Sequence, residues 1–168
     1  MKIRKKDIAI LILFLIIQIV WFNQILLFGF LQPIIILFPV LTLPLNTKSV
    51  NILLAFILGI ITDTFLHTGG VFAASLVLIV YLRNVYFSFV IKQYQDKNDF
   101  NIHKIDFSSR LMYYAVFILL TYFFIYLFES FHISLVIKKI PILLLNTAVS
   151  LVLFIFLDTF LISNDQKR

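Results

Sequence analysis

The chain has 168 residues, 62% of them hydrophobic and 13% charged, with a mean hydropathy of +1.06 and a formal net charge of +6. A soluble domain runs about 45–50% apolar and about 25% charged, and a core of this size cannot hide the excess, so the composition excludes an ordinary water-soluble domain. The basic residues sit in loops and tails, which argues for membrane orientation and against nucleic acid as the partner; with no cysteine, disulfides, thiolate catalysis and Cys-ligated metals are excluded.

In lipid, only helices and closed barrels satisfy every backbone group. Barrel strands would alternate apolar and polar side chains over about ten positions. Here the apolar runs are continuous and longer. The expected fold class is therefore an all-α membrane protein, one polytopic domain over residues 1–168 with about six transmembrane helices.

The first predicted span covers residues 8–28. It follows Lys2, Arg4, Lys5 and Lys6 and carries Gln18, Asn23 and Gln24. It is too long for a signal-peptide core and lacks a small-residue cleavage site, so it is read as retained. A turn at 29–33 leads to the second span, 34–45. At 1.5 Å per residue this span reaches only about 18 Å, against a hydrocarbon core of about 30 Å. Pro39 lies inside it and Pro44 near its end. Either the turn dips into the membrane, or the helix is broken and shielded by its neighbours.

The polar loop Asn46, Thr47, Lys48, Ser49 precedes the third span, 50–65. His67, Thr68, Gly69 and Gly70 form a tight turn into the fourth span, 71–91. A long polar connection, 92–110, follows. The fifth span is 111–128, with Ser108 or Ser109 as its cap. Residues 129–139 mix apolar and charged side chains, suiting either the interface plane or an outside partner. The sixth span is 140–162, ending in the polar tail 163–168.

Lysine and arginine counting sets the orientation. With the N-terminus inside, Lys2, Arg4, Lys5, Lys6, Lys48, Lys92, Lys97, Lys104, Arg110, Lys167 and Arg168 are cytoplasmic, and only Lys138 and Lys139 lie outside. Eleven against two, with an even number of spans, places both termini in the cytoplasm.

Asp63 is the most informative residue, because an ionised Asp at a helix centre costs about 2.5–3.5 kcal/mol on insertion scales. Ala55, Gly59 and Asp63 follow one another at i, i+4 and share a helix face. Gly70 and Ala74 repeat the spacing on the next helix, and small residues let helices approach closely in lipid. Spans three and four are expected to pack tightly on each other or on a partner helix. Asp63 is expected to anchor the hairpin through the amides of Gly69, Gly70 and Val71; a partner contact or a proton-relay role are the other readings.

Arg83 is the second intramembrane charge. It lies about nine residues deeper than Asp63, roughly 13 Å at 1.5 Å per residue, too far for a salt bridge. Snorkelling toward the inner surface or a local structural bond is expected, with a partner contact as the alternative. His67, His103 and His132 fall in separate loops without metal-site spacing. The recurrence of Asp63-Thr64-Phe65 as Asp158-Thr159-Phe160 is read as chance. No phosphate loop, nucleophile elbow, zinc motif or paired carboxylates occur in the sequence. No catalytic residue, cofactor or metal ligand is assigned.

The pattern resembles the rod shape-determining MreD family. The length and nearly all-membrane layout match. So does the segment Gly59-Ile-Ile-Thr-Asp63, then Gly70, Ala73 or Ala74, and Tyr81-Leu82-Arg83. The second span opens at Pro33 and closes at Leu43-Pro44, and Asn146 near the start of the sixth span is also similar. The family often carries a polar residue directly after the first proline; here Ile34 stands there, so that residue's role is not carried over. The resemblance implies a non-enzymatic scaffold of the cell-elongation complex in the bacterial inner membrane. It implies a bitopic partner, MreC, and indirect association with RodA, a class B transpeptidase and MreB filaments. The implied fold is that of the substrate-binding subunits of energy-coupling-factor transporters, a six-helix bundle able to hold a central cavity.

Two other functions have their own requirements. A transporter subunit capturing a small molecule would need a polar pocket near the outer face, with Asp63 and the 66–70 turn as candidates. An intramembrane enzyme would need convergent catalytic groups, which Asp63 and Arg83 do not supply. The whole reading expects the purified chain to require lipid or detergent. A size-exclusion profile in plain buffer should show only aggregate, and a monodisperse peak there would overturn it.

Overall fold

A computed structural model of the protein describes residues 5–22, 32–43, 48–90 and 106–165. Seven α-helices lie among them. α1 (Lys5–Ile17) runs on as a π-helical turn (Gln18–Phe22), and α2 is Leu37–Thr42. α3 (Lys48–Leu66), α4 (Val71–Val90), α5 (Phe107–Ser130), α6 (Ile133–Lys138) and α7 (Ile140–Asp165) complete the order. No strand occurs among the described residues.

Lys48–Leu66, Phe107–Ser130 and Ile140–Phe160 are long and apolar enough to cross a membrane, with shorter apolar stretches at Ile8–Trp21 and Val71–Phe87. Only 33%, 39% and 28% of those three spans are buried inside the protein. Their outward faces, with Leu53, Phe56, Met112, Val152 and Phe156 exposed, are as apolar as their inward ones. A water-facing helix would carry a polar stripe there. The architecture is consistent with an all-α membrane protein.

The second predicted span differs most from a simple helix. Residues 32–35 are neither helix nor strand, and α2 adds six residues, about 9 Å at 1.5 Å per residue. Ile36, Leu37, Val40 and Leu41 are all fully buried. The segment is thus broken and shielded, running down the centre of the bundle with no helical face turned to lipid. Pro39 is tolerated because the first turn of a helix needs no backbone donor.

Four helices border this axial segment, α4 through Arg83 and the other three along its length. It runs antiparallel to α1, with Gln18 against Pro33–Ile36 and Phe14 stacked on Phe38 at 5.9 Å. It runs antiparallel to α5, where Tyr122 meets Gln32 and Ile34, and Tyr113 meets Leu41. It runs parallel to α7, with Asn146 at Gln32, Ser150 at Ile34 and Phe154 edge-on to Phe38 at 5.2 Å.

A segment outside helix and sheet cannot satisfy its own amides, so side chains do it. The Gln18 carbonyl accepts from the Ile35 and Ile36 amides at 2.7 and 3.2 Å, and its amide donates to the Pro33 carbonyl at 3.2 Å. The Ile34 amide donates to Tyr122 Oη at 3.1 Å, and Tyr122 donates to the Gln32 carbonyl at 2.8 Å. The Gln32 amide donates to Asn146 Oδ1 at 2.8 Å. At the other end the Arg83 guanidinium donates to the carbonyls of Val40 and Leu43, and Tyr113 Oη donates to that of Leu41. A cation on the last carbonyls of a helix also favours its dipole.

α3 and α4 form a close antiparallel hairpin. A Cβ built on Gly59 would lie 2.3 Å from the Cα of Ala73, closer than any real contact. The expected partner strip of Gly70 and Ala74 is corrected here. Ala74 is exposed and Ala73 is buried, so the contact face on α4 is one residue earlier. Gly70 meets nothing within 4 Å; its φ of +99° explains it, because side chains disfavour that conformation.

Gly59→Leu should therefore separate α3 from α4. Overpacking of this kind costs about 1–3 kcal/mol, and a thermal melt in detergent should show a clear fall, whereas Ala74→Leu on the exposed face should leave the melt nearly unchanged.

Candidate functional site

Polar groups in an apolar bundle are costly, so each marks either a structural anchor or a site. Asp63 sits in the last turn of α3, just before a turn that closes through the Thr68 amide donating to the Asp63 carbonyl at 3.3 Å. His67, Gly69 and Gly70 all have positive φ there. That backbone aims the first turn of α4 back at the Asp63 side chain. Oδ1 accepts from the Phe72 amide at 2.9 Å and from the Thr68 hydroxyl, and Oδ2 accepts from the Ala73 amide at 2.8 Å. The amides are those of Phe72 and Ala73 instead of the expected Gly69, Gly70 and Val71. The carboxylate reaches one half-turn further into α4 because the two glycines make the turn itself.

Ala55 and Gly59 lie on the same buried face of α3 as Asp63, together with Asn51, Leu58 and Thr62. Arg83 is not near them: it caps α2, 1% exposed, with its guanidinium 5.9 Å from the Phe87 ring. It does not snorkel to a surface. Of the two neighbouring groups, Arg83 Nε and Asn84 Oδ1 are buried with no partner among the described residues.

The structure adds a buried charge pair that the sequence analysis does not contain. Arg110 Nε lies 2.8 Å from Asp158 Oδ2, and Tyr114 donates to Asp158 Oδ1 at 3.2 Å. Arg110, counted above as a loop charge, belongs to α5 and is 7% exposed; Asp158 on α7 is 2% exposed. Matching depths would have found this pair. Arg110 opens the fifth span and Asp158 nearly closes the sixth, so both stand at the same end of the bundle. The recurrence of Asp-Thr-Phe thus conceals two acids with different tasks, one capping a hairpin and one pairing with arginine.

A cleft of about 270 Å³ opens at the end of the bundle where α3 turns into α4 and where α6 lies. Leu66, Val71, Phe72, Ile125 and Ile142 make its apolar wall. Gln32, Thr68, Tyr122, Tyr126 and Asn146 supply polar atoms, and Glu129 and Lys139 also line it. Lys139 Nζ is 3.0 Å from Glu129 Oε2 and 5.1 Å from the centre of the Tyr126 ring. Asn146 donates from Nδ2 to Tyr126 Oη at 2.9 Å while accepting from the Gln32 amide, so the cleft wall is tied to the axial segment. Sequence reasoning placed the pocket candidates at Asp63 and the 66–70 turn. The turn does contribute, through Leu66 and Thr68, but the α5 and α7 residues that complete the cleft are more than fifty positions away. Among the described residues no cluster of three metal-ligating side chains occurs.

The geometry sets what Asp63→Asn should do. Each carboxylate oxygen accepts a backbone N–H, so an amide group would turn a donor toward a donor. Losing one such bond and leaving a buried amide unpaired costs about 1–3 kcal/mol. Asp63→Asn should lower the melting temperature more than Thr68→Ala does, and hydrogen exchange should speed up at the Phe72 and Ala73 amides. Protection there equal to the unsubstituted protein would refute the capping role.

Comparison with protein-family models, curated proteins and solved structures finds no match for this chain.

Proposed function

We propose that the protein is a non-enzymatic scaffold of the MreD type, embedded in the bacterial inner membrane with both termini cytoplasmic, and that it engages a single-span partner of the MreC type. Its six passes would then be α1, the axial segment, α3, α4, α5 and α7. Through that partner it would help position lateral wall synthesis by RodA, a class B transpeptidase and MreB filaments.

One observation carries this reading. The buried polar side chains Gln18, Asp63 and Arg83 are engaged in holding the chain's own backbone. What remains for contact with other molecules is mainly the outward apolar helix surface. The segment on which the resemblance rests, from Gly59 to Arg83, also behaves as one unit: a glycine contact, a capped turn and a cap on α2. In this reading the α3–α4 hairpin is the rigid part that presents a surface.

A second reading, a substrate-binding subunit of a small-molecule transporter, draws on the cleft beside α6. A scaffold needs no such cavity, and a capture subunit does.

Photo-reactive residues at the exposed positions Leu53, Phe56 and Ile60 of α3 and Val152 and Phe156 of α7 test the scaffold reading in cells. One of the two helices should cross-link to a single-span protein with an extracytoplasmic domain, identified by mass spectrometry. Cells carrying only Gly59→Leu should round up. Normal rods with full-level Gly59→Leu protein, and no adduct from either helix, would defeat the proposal.

A further inference from the structure

We infer that the cleft between the α3–α4 turn, α5 and α7 is a binding site for a small zwitterion, a molecule carrying one ammonium and one phosphate or carboxylate on a short linker. The inference does not rest on the scaffold reading.

The argument begins with net charge. The charged side chains that line the cleft are Glu129 and Lys139, and they are matched. The N-terminus of α4 borders the cleft through Val71 and Phe72, but the Phe72 and Ala73 amides are already taken by Asp63. The end of α4 is therefore not free to attract an anion. A ligand of net charge would therefore leave one rim charge uncompensated on entering. A zwitterion would not: its anion takes Lys139, its ammonium takes Glu129, and one internal ion pair becomes two intermolecular ones. The exchange is easy at the rim, where Lys139 and Glu129 side chains are 39% and 54% exposed and the pair itself contributes little.

The wall adds direction. Lys139 Nζ already lies over the Tyr126 ring, which shows that the ring face accepts a cation at this place. Tyr126 Oη accepts from Asn146 Nδ2, and its own proton has no acceptor among the described residues. That proton is the second donor for a ligand anion, beside Lys139. The Asn146 side chain cannot rotate to compete, because its Oδ1 holds the Gln32 amide at 2.8 Å. Below these polar atoms, Leu66, Phe72, Ile125 and Ile142 offer an apolar wall for hydrocarbon. The volume of about 270 Å³ lies just under the ~300–1,000 Å³ of small-molecule sites, which suits a headgroup or an amino-acid-sized solute.

Two sources share this chemistry: a free zwitterionic solute, and the headgroup of a phosphatidylethanolamine lipid lying beside the bundle. Titration of the full chain in maltoside with phosphoethanolamine, with phosphate alone and with ethanolamine alone tests the class. Phosphoethanolamine should bind, and each half-molecule should bind at least about tenfold more weakly for want of one charged contact. Glu129→Gln and Lys139→Gln should each weaken phosphoethanolamine about tenfold, while the ligand-free melting temperature stays put because both side chains are at the rim. Native mass spectrometry with equimolar phosphatidylethanolamine and phosphatidylglycerol assigns the source. Preferential retention of phosphatidylethanolamine identifies a lipid, and its absence alongside phosphoethanolamine binding identifies a solute; either result supports the site. The inference is overturned if phosphoethanolamine does not bind, if a half-molecule binds as tightly, or if both variants bind as the unsubstituted protein does. The half-molecule comparison uses the unsubstituted chain, so it decides the matter even should a variant fail to fold.

Discussion

A non-helical backbone at the centre of an apolar bundle has to find partners for its amides and carbonyls, and this requirement organises the molecule. Residues 32–36 make no helix, and the lost backbone bonds are replaced from three elements: by Gln18 of the π-helical turn, Tyr122 of α5, and Asn146 and Ser150 of α7. An unpaired amide in hydrocarbon costs several kcal/mol, so these four side chains lock the relative depth of three helices. The π turn at Gln18–Phe22 belongs to the same device, since a local π turn is a common way to redirect side chains at special positions. Helices in lipid lack a hydrophobic drive to associate. Polar clamps on a buried axis supply order where burial alone would not.

The intramembrane charges follow the same logic at both ends of their helices. Asp63 is held by two backbone amides and a hydroxyl, Arg83 by carbonyls of the axial segment, and Arg110 by Asp158. Each has partners of opposite polarity at short range, which is the condition under which charge persists in a low-dielectric interior. Gly59 against Ala73 then brings α3 and α4 together along the length between the capped turn and Arg83. Contact, cap and turn agree in holding the hairpin together.

The cleft differs in character from these clamps. Its charged groups, Glu129 and Lys139, are at the rim, and their ion pair is exchangeable in a way that the buried Arg110–Asp158 pair is not. Yet Asn146 joins the two systems, holding the axial segment with one atom and Tyr126 with the other.

Much of the fold was legible from the residues alone. Continuous apolar runs dictate helices in lipid, the glycine pair dictates a turn at 67–70, and a lone acid one turn before it dictates a hairpin cap. Ala55, Gly59 and Asp63 share a face by simple periodicity, and the short proline-bearing stretch 34–45 cannot span as a plain helix. The tertiary structure alone decided where that stretch lies, that Ala73 and not Ala74 meets Gly59, that Arg83 turns inward, and that Arg110 finds Asp158. It also decided the cleft. The physical reason is range: periodicity and turn chemistry act within a few residues, whereas the bonds that place Ile34, Gln32 and Arg83 join positions 88, 114 and 40 or more apart, and only the packed bundle brings them within reach.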